Sequence, residues 1–357
     1  MLLKYSVGID MSMKSFTCCI LTIDSEQSIK VKGSRKFANT LSGFKNFYDW
    51  SVKKHKEVEV PLVYCVEATG VYHENLSFFL HDKNCSLSII LASTSSKYLA
   101  SLGLKSKTDP IDAKGLAQMG AERKLTLWNP PAKYYSDLRS LTRHHQSLTE
   151  DKTAVSNKLH AITHSGKPSK FVIKQLKTQI KHFDKNLKLT SQAITQAINS
   201  RPEVRSKIDR ICTIKGVAEH TVATVIAETF GFELFESAKQ LISYCGYDVV
   251  ENQSGKTTGK TRISKKGCSR IRRAMHFPAF NVMRPDQPIF YNLYQRTFEK
   301  HHIKMKSYVA IQKKLLTTIY ALWKNDTEFD PQYQIKMINP TLKKVVPIKP
   351  ELLEVQP

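Results

Sequence analysis

The stretch that decides the fold is Lys107-Thr108-Asp109-Pro110-Ile111-Asp112-Ala113-Lys114, and it predicts the start of a helix. Asp109 is a suitable N-cap residue. Pro110 suits the first helical position, because the N–H that proline lacks would have no helical partner there. Asp112 follows three residues later on the same face of the helix. Two carboxylates here can simply cap the helix, since its dipole favours negative charge. They can also hold Mg²⁺, which prefers hard oxygen ligands.

Two more acids stand at predicted strand ends upstream. An apolar strand over 5–10 ends in Asp10, and a buried-type strand over 62–66 is followed by Glu67. The strands predicted at 5–10, 15–22 and 29–37 are joined so closely that they should be antiparallel. Helices and strands then alternate. The pattern predicts an α/β layer in residues 1–130, and its order is similar to that of the ribonuclease H-like fold.

In that fold the first strand and a later one lie side by side in mid-sheet. Asp10 and Glu67 would then meet, and the following helix could present Asp109 and Asp112 to the same spot. Four carboxylates repel one another unless cations neutralise them, and two Mg²⁺ ions about 4 Å apart would do so while clamping the oxygens of a phosphoryl transfer. Taken singly, Asp10 also fits an ordinary strand-end turn and Glu67 a surface acid; the set of four is the more specific signal.

Charge and composition narrow the class of partner. The chain of 357 residues has a formal net charge of +24, which makes a polyanion the expected partner. A membrane is not expected as a partner, because no apolar run reaches the ~20 residues of a spanning helix. The N-terminus lacks a signal-peptide pattern, and the seven cysteines form no C-x-x-C pair. These features predict a cytoplasmic protein with reduced thiols.

The rest of the chain divides into three parts. Residues 131–201 predict a helical hairpin used as a coiled-coil spacer, because apolar residues from Ile173 to Leu187 recur in steps of three and four. A dimerisation role for this spacer is a second interpretation. Residues 202–330 predict a mainly α-helical C-terminal domain, and the proline-bearing segment 331–357 predicts an extended tail.

Two motifs in the C-terminal domain suggest contact with phosphate. Residues 211–223, with Gly216 in the turn, fit a helix-hairpin-helix that meets phosphate, and fit an ordinary αα corner equally well. Residues 252–267 form a polar, basic loop that either is a flexible hairpin or presents Ser254 to a phosphodiester, provided that a base, cation or metal activates it. The candidate nucleic-acid-binding cations in and after this loop are Lys256, Lys260, Arg262, Lys265, Lys266, Arg270, Arg272 and Arg273.

These motifs together resemble one family, the DEDD-type insertion-sequence transposases of the IS110 group, also called bridge-RNA-guided recombinases. The resemblance covers nearly the whole chain. It rests on the following segments: Val7-Gly8-Ile9-Asp10, Val66-Glu67-Ala68-Thr69-Gly70, Lys107 to Ala113, Ile214-Lys215-Gly216-Val217, Phe235 to Gly246, Gln253-Ser254-Gly255, and Ile263-Ser264-Lys265-Lys266-Gly267 with Ile271-Arg272-Arg273.

The resemblance implies a function for each conspicuous residue. Asp10, Glu67, Asp109 and Asp112 correspond to the family's ligands for Mg²⁺ (or Mn²⁺) in a RuvC-like, ribonuclease H-like domain. Ser254 corresponds to a serine that attacks DNA and forms a covalent phosphoserine link. The expected partners are donor and target DNA, an element-encoded guide RNA that selects them by base pairing, and further copies of the chain in a homo-oligomer, a dimer or a tetramer.

The chain departs from the family's pattern at two places. Lys215-Gly216 stands where the family usually has Pro-Gly, and Gly246-Tyr247-Asp248-Val249 stands where it tends to have Gly-Leu-x-Pro.

Three other functions are alternatives to a transposase. The main one is a metal-dependent nuclease of the Holliday-junction resolvase type that works without serine chemistry. An actin-like ATPase is disfavoured because no glycine-rich phosphate loop follows Asp10. A non-enzymatic nucleic-acid binder would leave the four acids unexplained.

Overall fold

The computed structural model describes residues 1–103, 106, 108–251, 253–254, 257–259 and 261–333, with the backbone alone at 253, 254, 257 and 258. The chain forms two compact units, Met1–Pro130 and Pro131–Pro357. Lys256, Lys260 and the tail from residue 334 onward lie outside the described residues. Among the described residues, no helix combines the length and the apolar character needed to cross a membrane.

The first unit is a five-stranded mixed sheet with four helices. Its elements in chain order are β1 (Leu2–Met11), β2 (Ser15–Asp24), β3 (Ile29–Ala38), α1 (Leu41–Lys54), β4 (Leu62–Glu67), α2 (Glu74–Asp82), β5 (Ser86–Ile90), α3 (Ala92–Ser101) and α4 (Asp109–Glu122). The strand order is β3-β2-β1-β4-β5. The first three strands pair antiparallel, whereas β1 with β4 and β4 with β5 pair parallel. The α/β prediction for this half is confirmed, with β1 and β4 side by side in mid-sheet.

The central strand is buried on both faces, which explains its nearly continuous apolar sequence. Val7 and Ile9 are fully buried against an aromatic cluster that includes Phe16 and Phe47. On the opposite face, α4 covers the sheet with small residues, of which Ala113 and Ala117 are fully buried. Small side chains on this helix let its backbone come close to the sheet.

The start of α4 differs by one residue from the expectation. Thr108 has extended backbone (φ −148°, ψ 154°) and is the N-cap, so that Asp109 is the first helical residue instead of the cap. The carbonyl oxygen of Thr108 accepts the first helical bond, from the N–H of Asp112 at 2.9 Å. Pro110 still lies in the first turn, where a missing N–H is harmless.

The second unit is mainly helical, as predicted. Its helices are α5 (Lys133–Thr163), α6 (Lys170–Asn199), α7 (Pro202–Cys212), α8 (Glu219–Glu228), α9 (Ala238–Tyr244), α10 (Ser269–Ala274), α11 (His276–Asn281), α12 (Pro288–His301) and α13 (Lys304–Asn325). Two short ribbons separate α9 from α10: β6 (Val249–Val250) pairs with β9 (Arg262–Ile263), and β7 (Gln253–Ser254) pairs with β8 (Thr257–Thr258). One core holds the unit together, with contributions from α5 and α6 through Leu138, Ile194 and Ile198.

Candidate active site

The parallel pairing of β1 and β4 places Asp10 beside Glu67. Ile9 is the register partner of Val66, and each acid is the next residue along its strand. Parallel neighbours end at the same edge of a sheet, so both side chains belong to the carboxyl edge of the central strands. Both acids are partly exposed, as residues must be if they are to reach a ligand from solvent.

A third acid comes from α4, which packs directly on β1 at Gly8. A methyl group placed on Gly8 would lie 2.1 Å from the carbonyl oxygen of Ala113 and 2.1 Å from the amide nitrogen of Ala117. Only glycine permits this approach of helix backbone to strand backbone. Gly8 is two residues from Asp10, and Ala113 follows Asp112, so the contact carries the first turn of α4 to the end of β1.

Asp10, Glu67 and Asp112 line one open cavity of about 450 Å³, together with Thr69, Ser96 and Ser106 among others. Three acids that are far apart in sequence thus face a common space. Asp109 is exposed in the first turn of α4 and is not among the described residues that line this cavity. The expectation that all four acids meet at one spot is therefore matched by three of them in this conformation.

The carboxylate of Glu67 is held by a serine that sequence reasoning did not single out. The hydroxyl of Ser95, in the first turn of α3, donates to Oε2 of Glu67 at 2.7 Å, and Ser95 is fully buried. A buried hydroxyl fixes the orientation of its partner, as outer partners of metal ligands do. No sequence signal marks Ser95, because its partner lies 28 residues away.

The donor set suits a divalent metal ion. Carboxylate oxygens are the ligands that Mg²⁺ prefers, and this ion typically takes one or two carboxylates and keeps several waters. The cavity has room for an ion with its waters. Within the part of the chain that the structure describes, no three His, Cys, Asp or Glu side chains are placed so that together they could hold a metal ion. Asp10, Glu67 and Asp112 share the cavity without forming a ready set of ligands.

Ser254 lies in the second unit, on the β7–β8 ribbon, where its register partner is Thr257. The β6–β9 ribbon, next to it in sequence, pairs Val250 with Arg262. Two further contacts fix the base of this ribbon: the N–H of Ser264 donates to the Asp248 carbonyl at 2.8 Å, and that of Lys265 to the Gly246 carbonyl at 3.0 Å. The polar loop therefore has paired backbone on both sides of Ser254.

The described candidate cations fall into two groups. Arg262, Lys265, Lys266, Arg270 and Arg273 are exposed, whereas Arg272 is half-buried. Arg272 donates to the carbonyl oxygens of Cys245 at 2.8 Å and Gly267 at 3.3 Å, so it clamps the loop before α10 to the end of α9. Arg273 pairs with Glu150 of α5. Arg272 thus has a structural contact besides its predicted nucleic-acid role.

The buried carboxylate of Glu228 contacts three arginines, and sequence reasoning did not single it out. Glu228, at 1% side-chain exposure, accepts two hydrogen bonds from Arg143, at 2.6 and 2.8 Å. Arg139 lies 3.4 Å away and Arg270 3.9 Å away. Burial raises the pKa of Glu228. The hydrogen bonds from Arg143 and the charges of the three arginines lower it by more than burial raises it, so the pKa lies below its ordinary value. The carboxylate remains ionised and ties α5, α8 and α10 together.

The turn at Gly216 packs on its own unit. Gly216 has φ of +101°, and an added methyl would lie 2.7 Å from Cβ of Asn281. The side-chain amide of Gln287 donates to the Lys215 carbonyl at 2.8 Å. These contacts hold the turn against residues 281–287, and both interpretations of the turn, a phosphate-binding hairpin and an αα corner, stay predictions.

Two family models match the chain. A DEDD-type model described as "Transposase" matches residues 7–166, and the model "Transposase IS116/IS110/IS902 family" matches residues 208–295. The chain belongs to the IS110 family of transposases. It is accordingly an enzyme that acts on DNA, and its DEDD-type half implies a divalent metal ion. The expected family and its two-part organisation are confirmed.

Curated relatives of this IS110-family transposase span almost its whole length. Pilin gene-inverting proteins from Moraxella lacunata and Moraxella bovis are each 28% identical over 332 residues, which is 92% of this chain and 98% of theirs. Among solved structures, Thermus thermophilus RuvC aligns with 35% of this chain and 99% of its own, at 10% identity and a TM-score of 0.27. A structural likeness of that size carries no argument by itself, and the fold assignment rests on the sheet topology.

Proposed function

We propose that this transposase cuts and rejoins DNA with a Mg²⁺ site built on Asp10, Glu67, Asp109 and Asp112 and with Ser254 as the nucleophile. The observation that supports the metal site best is the single cavity shared by Asp10, Glu67 and Asp112. A divalent ion bound there would neutralise the acids and stabilise charge on the transferring phosphoryl group. Mn²⁺ would serve the same donors.

The chain's own residues have separate roles in this proposal. Ser95 orients the carboxylate of Glu67, and Gly8 brings α4 and its acids to the end of β1. Asp109, one helical turn before Asp112, would be the fourth ligand of the set. Neutralisation of the acids is the condition under which a DNA phosphate can enter, because three carboxylates in one cavity repel it.

The serine step conserves the number of phosphodiester links. Oγ of Ser254 would form a bond to phosphorus while the bond from phosphorus to one sugar oxygen of the DNA breaks. The serine proton would pass to a base, and the released sugar oxygen would take up a proton and leave as a hydroxyl. The covalent link preserves the bond energy for rejoining, so that no external energy source is needed. The relatives' name describes inversion of a gene, and inversion requires such rejoining; we extend it to this chain as part of the proposal.

Three further features belong to the proposal. An RNA encoded by the element would select donor and target DNA by pairing, which leaves the protein to bind backbone and shape. The net charge of +24 suits both nucleic acids. A homo-oligomer would supply the acids and the serine of one composite site from different subunits.

The metal site is tested by paired variants in a DNA cleavage assay. Asp112→Asn removes a proposed ligand and should abolish Mg²⁺-dependent cleavage, while affinity for DNA measured in chelator should not fall, because the substitution removes a negative charge. Asp82→Asn, at an acid with 80% side-chain exposure, is the matched control and should cleave normally. Full activity in Asp112→Asn would overturn the assignment of the cavity as the metal site.

A further inference from the structure

The second unit has a cavity that the proposed metal and serine chemistry does not use. It is an open cavity of about 650 Å³ between α5, α8, α10, α11 and α13. That volume falls within the range of about 300–1,000 Å³ typical of small-ligand sites. It is therefore large enough for one nucleotide.

The charge of the cavity wall favours phosphate. Lys265, Arg270, Arg272 and Arg273 all line the cavity, and none of the described lining residues is acidic. Two of these cations are held by contacts within the unit, Arg272 by main-chain carbonyls and Arg273 by Glu150. Fixed cations lose little side-chain entropy when they bind an anion, which makes such a wall a pre-organised phosphate site.

An exposed aromatic ring stands beside these cations. Phe277, the second residue of α11, lines the cavity and is 74% exposed. Exposed phenyl rings next to basic residues are typical of surfaces on which nucleic-acid bases stack. In a duplex the faces of the bases are already covered by their neighbours, so such a ring selects unpaired bases.

Other residues that line the cavity include polar side chains of α5 and α8, together with the apolar Met305 and Val309 of α13. His145 and His220 lie with ring centroids 4.2 Å apart, and burial, followed by the neighbouring histidine, lowers the pKa of His220 to about 4. The buried side chain of Gln312 is held by the hydroxyl of Tyr247 at 3.0 Å. The neutral imidazole of His220 can meet the edge of a base without attracting a second phosphate, whereas the Gln312 amide already has partners at both ends, since its Nε2 lies 3.3 Å from Nδ1 of His276.

We propose that this cavity binds an unpaired nucleotide, with its base on Phe277 and its flanking phosphates on Lys265, Arg270 and Arg273. The same chemistry is available in a single strand of DNA opened during recombination and in an RNA strand. The proposal goes beyond the metal and serine chemistry, and either can fail without the other.

Binding by the full-length protein tests this inference, with chelator present so that cleavage does not interfere. The probes are short oligonucleotides that carry 2-aminopurine, as single-stranded DNA, single-stranded RNA and duplex DNA of one sequence. Phe277→Ala should weaken single-strand binding about tenfold and reduce quenching of the 2-aminopurine, because one stacked base is lost. Duplex affinity and the salt dependence should not change, since no charge is removed. The tighter of the two single strands identifies the source of the nucleotide.

Two matched variants make the result decisive. Phe171→Ala removes a ring of similar exposure, 71%, on α6 of the same unit, and should leave all three probes bound as in the parent. Phe277→Trp keeps an aromatic ring and should bind single strands as the parent does. The proposal is overturned if Phe277→Ala behaves like Phe171→Ala, if duplex affinity falls equally, or if sedimentation shows that Phe277→Ala acts by dissociating an oligomer.

Discussion

The amide nitrogen of Ala117 lies where a side chain on Gly8 would have to go. The 2.1 Å that would separate this nitrogen from a methyl group on Gly8 is far inside van der Waals contact. Strand β1 and helix α4 therefore touch backbone to backbone beside the candidate metal site. The placement of Asp112 relative to Asp10 depends on this contact, which makes Gly8 a residue whose substitution tests the geometry of the whole site.

Gly8→Ala should destabilise the first unit and reduce metal-dependent cleavage together. The added methyl meets main-chain atoms that cannot rotate away, so we expect a loss of about 3 kcal/mol, the upper end of the cost of overpacking. Thermal unfolding measures it. Gly33→Ala in the same sheet is the control, because there the methyl meets only the side chains of Trp50 and Lys54 at 3.3 Å or more. Equal stability of the two variants would contradict the proposed contact.

Ser95→Ala should weaken metal binding without unfolding the protein. Loss of the hydrogen bond to Glu67 frees its carboxylate, and outer partners of this kind typically contribute about 10-fold to 100-fold in metal affinity. The measurement is the rate of cleavage as a function of Mg²⁺ concentration. The concentration that gives half the maximal rate should rise about tenfold, while the maximal rate at saturating Mg²⁺ should equal that of the parent. Ser101→Ala serves as control, since that hydroxyl donates to the Tyr98 carbonyl of the same helix. An unchanged midpoint in Ser95→Ala would remove Ser95 from the site.

Glu228→Gln should destabilise the second unit by about 2 kcal/mol at neutral pH, because it removes the buried carboxylate that accepts two charge-assisted hydrogen bonds from Arg143. The folded pKa of Glu228 lies below the ordinary value of 4.5, so its contribution is complete above that pH and is lost as pH falls through the folded pKa. The difference in unfolding free energy between the parent and Glu228→Gln should therefore shrink in acid. Glu203→Gln, at a glutamate with 65% exposure, should match the parent throughout.

His220 should make stability fall between pH 6.5 and about 4. Its pKa is lowered from 6.5 to about 4 by burial and then by His145, against a raising effect of Glu219. Because the unfolded chain takes up the proton first, folding is favoured above pH 6.5 and loses that contribution as pH drops to the folded value. His220→Gln should flatten the pH dependence of Tm in this window. An exposed histidine, His164, gives the control; an equal flattening in His164→Gln would refute the account.

The local parts of the fold were predictable from sequence, and the long-range parts were not. The strands ending at Asp10 and Glu67 were predictable from their apolar runs, whereas the pairing of β1 with β4 was expected from the similarity of the element order to the ribonuclease H-like fold. The cap of α4 was misplaced by one residue since Thr108 and Asp109 are both good caps. Ser95, Glu228 and the cavity beside Phe277 had no local signal, as their partners come from distant segments. For Ser254 the residues left two interpretations open, a flexible hairpin and presentation to a phosphodiester. The resemblance supplied its role as the nucleophile and the guide RNA.

The measurement that tests the central claim most directly is a denaturing gel for a covalent protein–DNA adduct. The protein is incubated with the element's DNA ends and flanking transcript, with Mg²⁺ or with chelator, beside Ser254→Ala and the neighbouring control Ser264→Ala. The account predicts an adduct that requires Mg²⁺ and Ser254 and persists in Ser264→Ala. Cleavage without an adduct, unchanged in Ser254→Ala, would contradict it and assign the protein to metal-only nucleases.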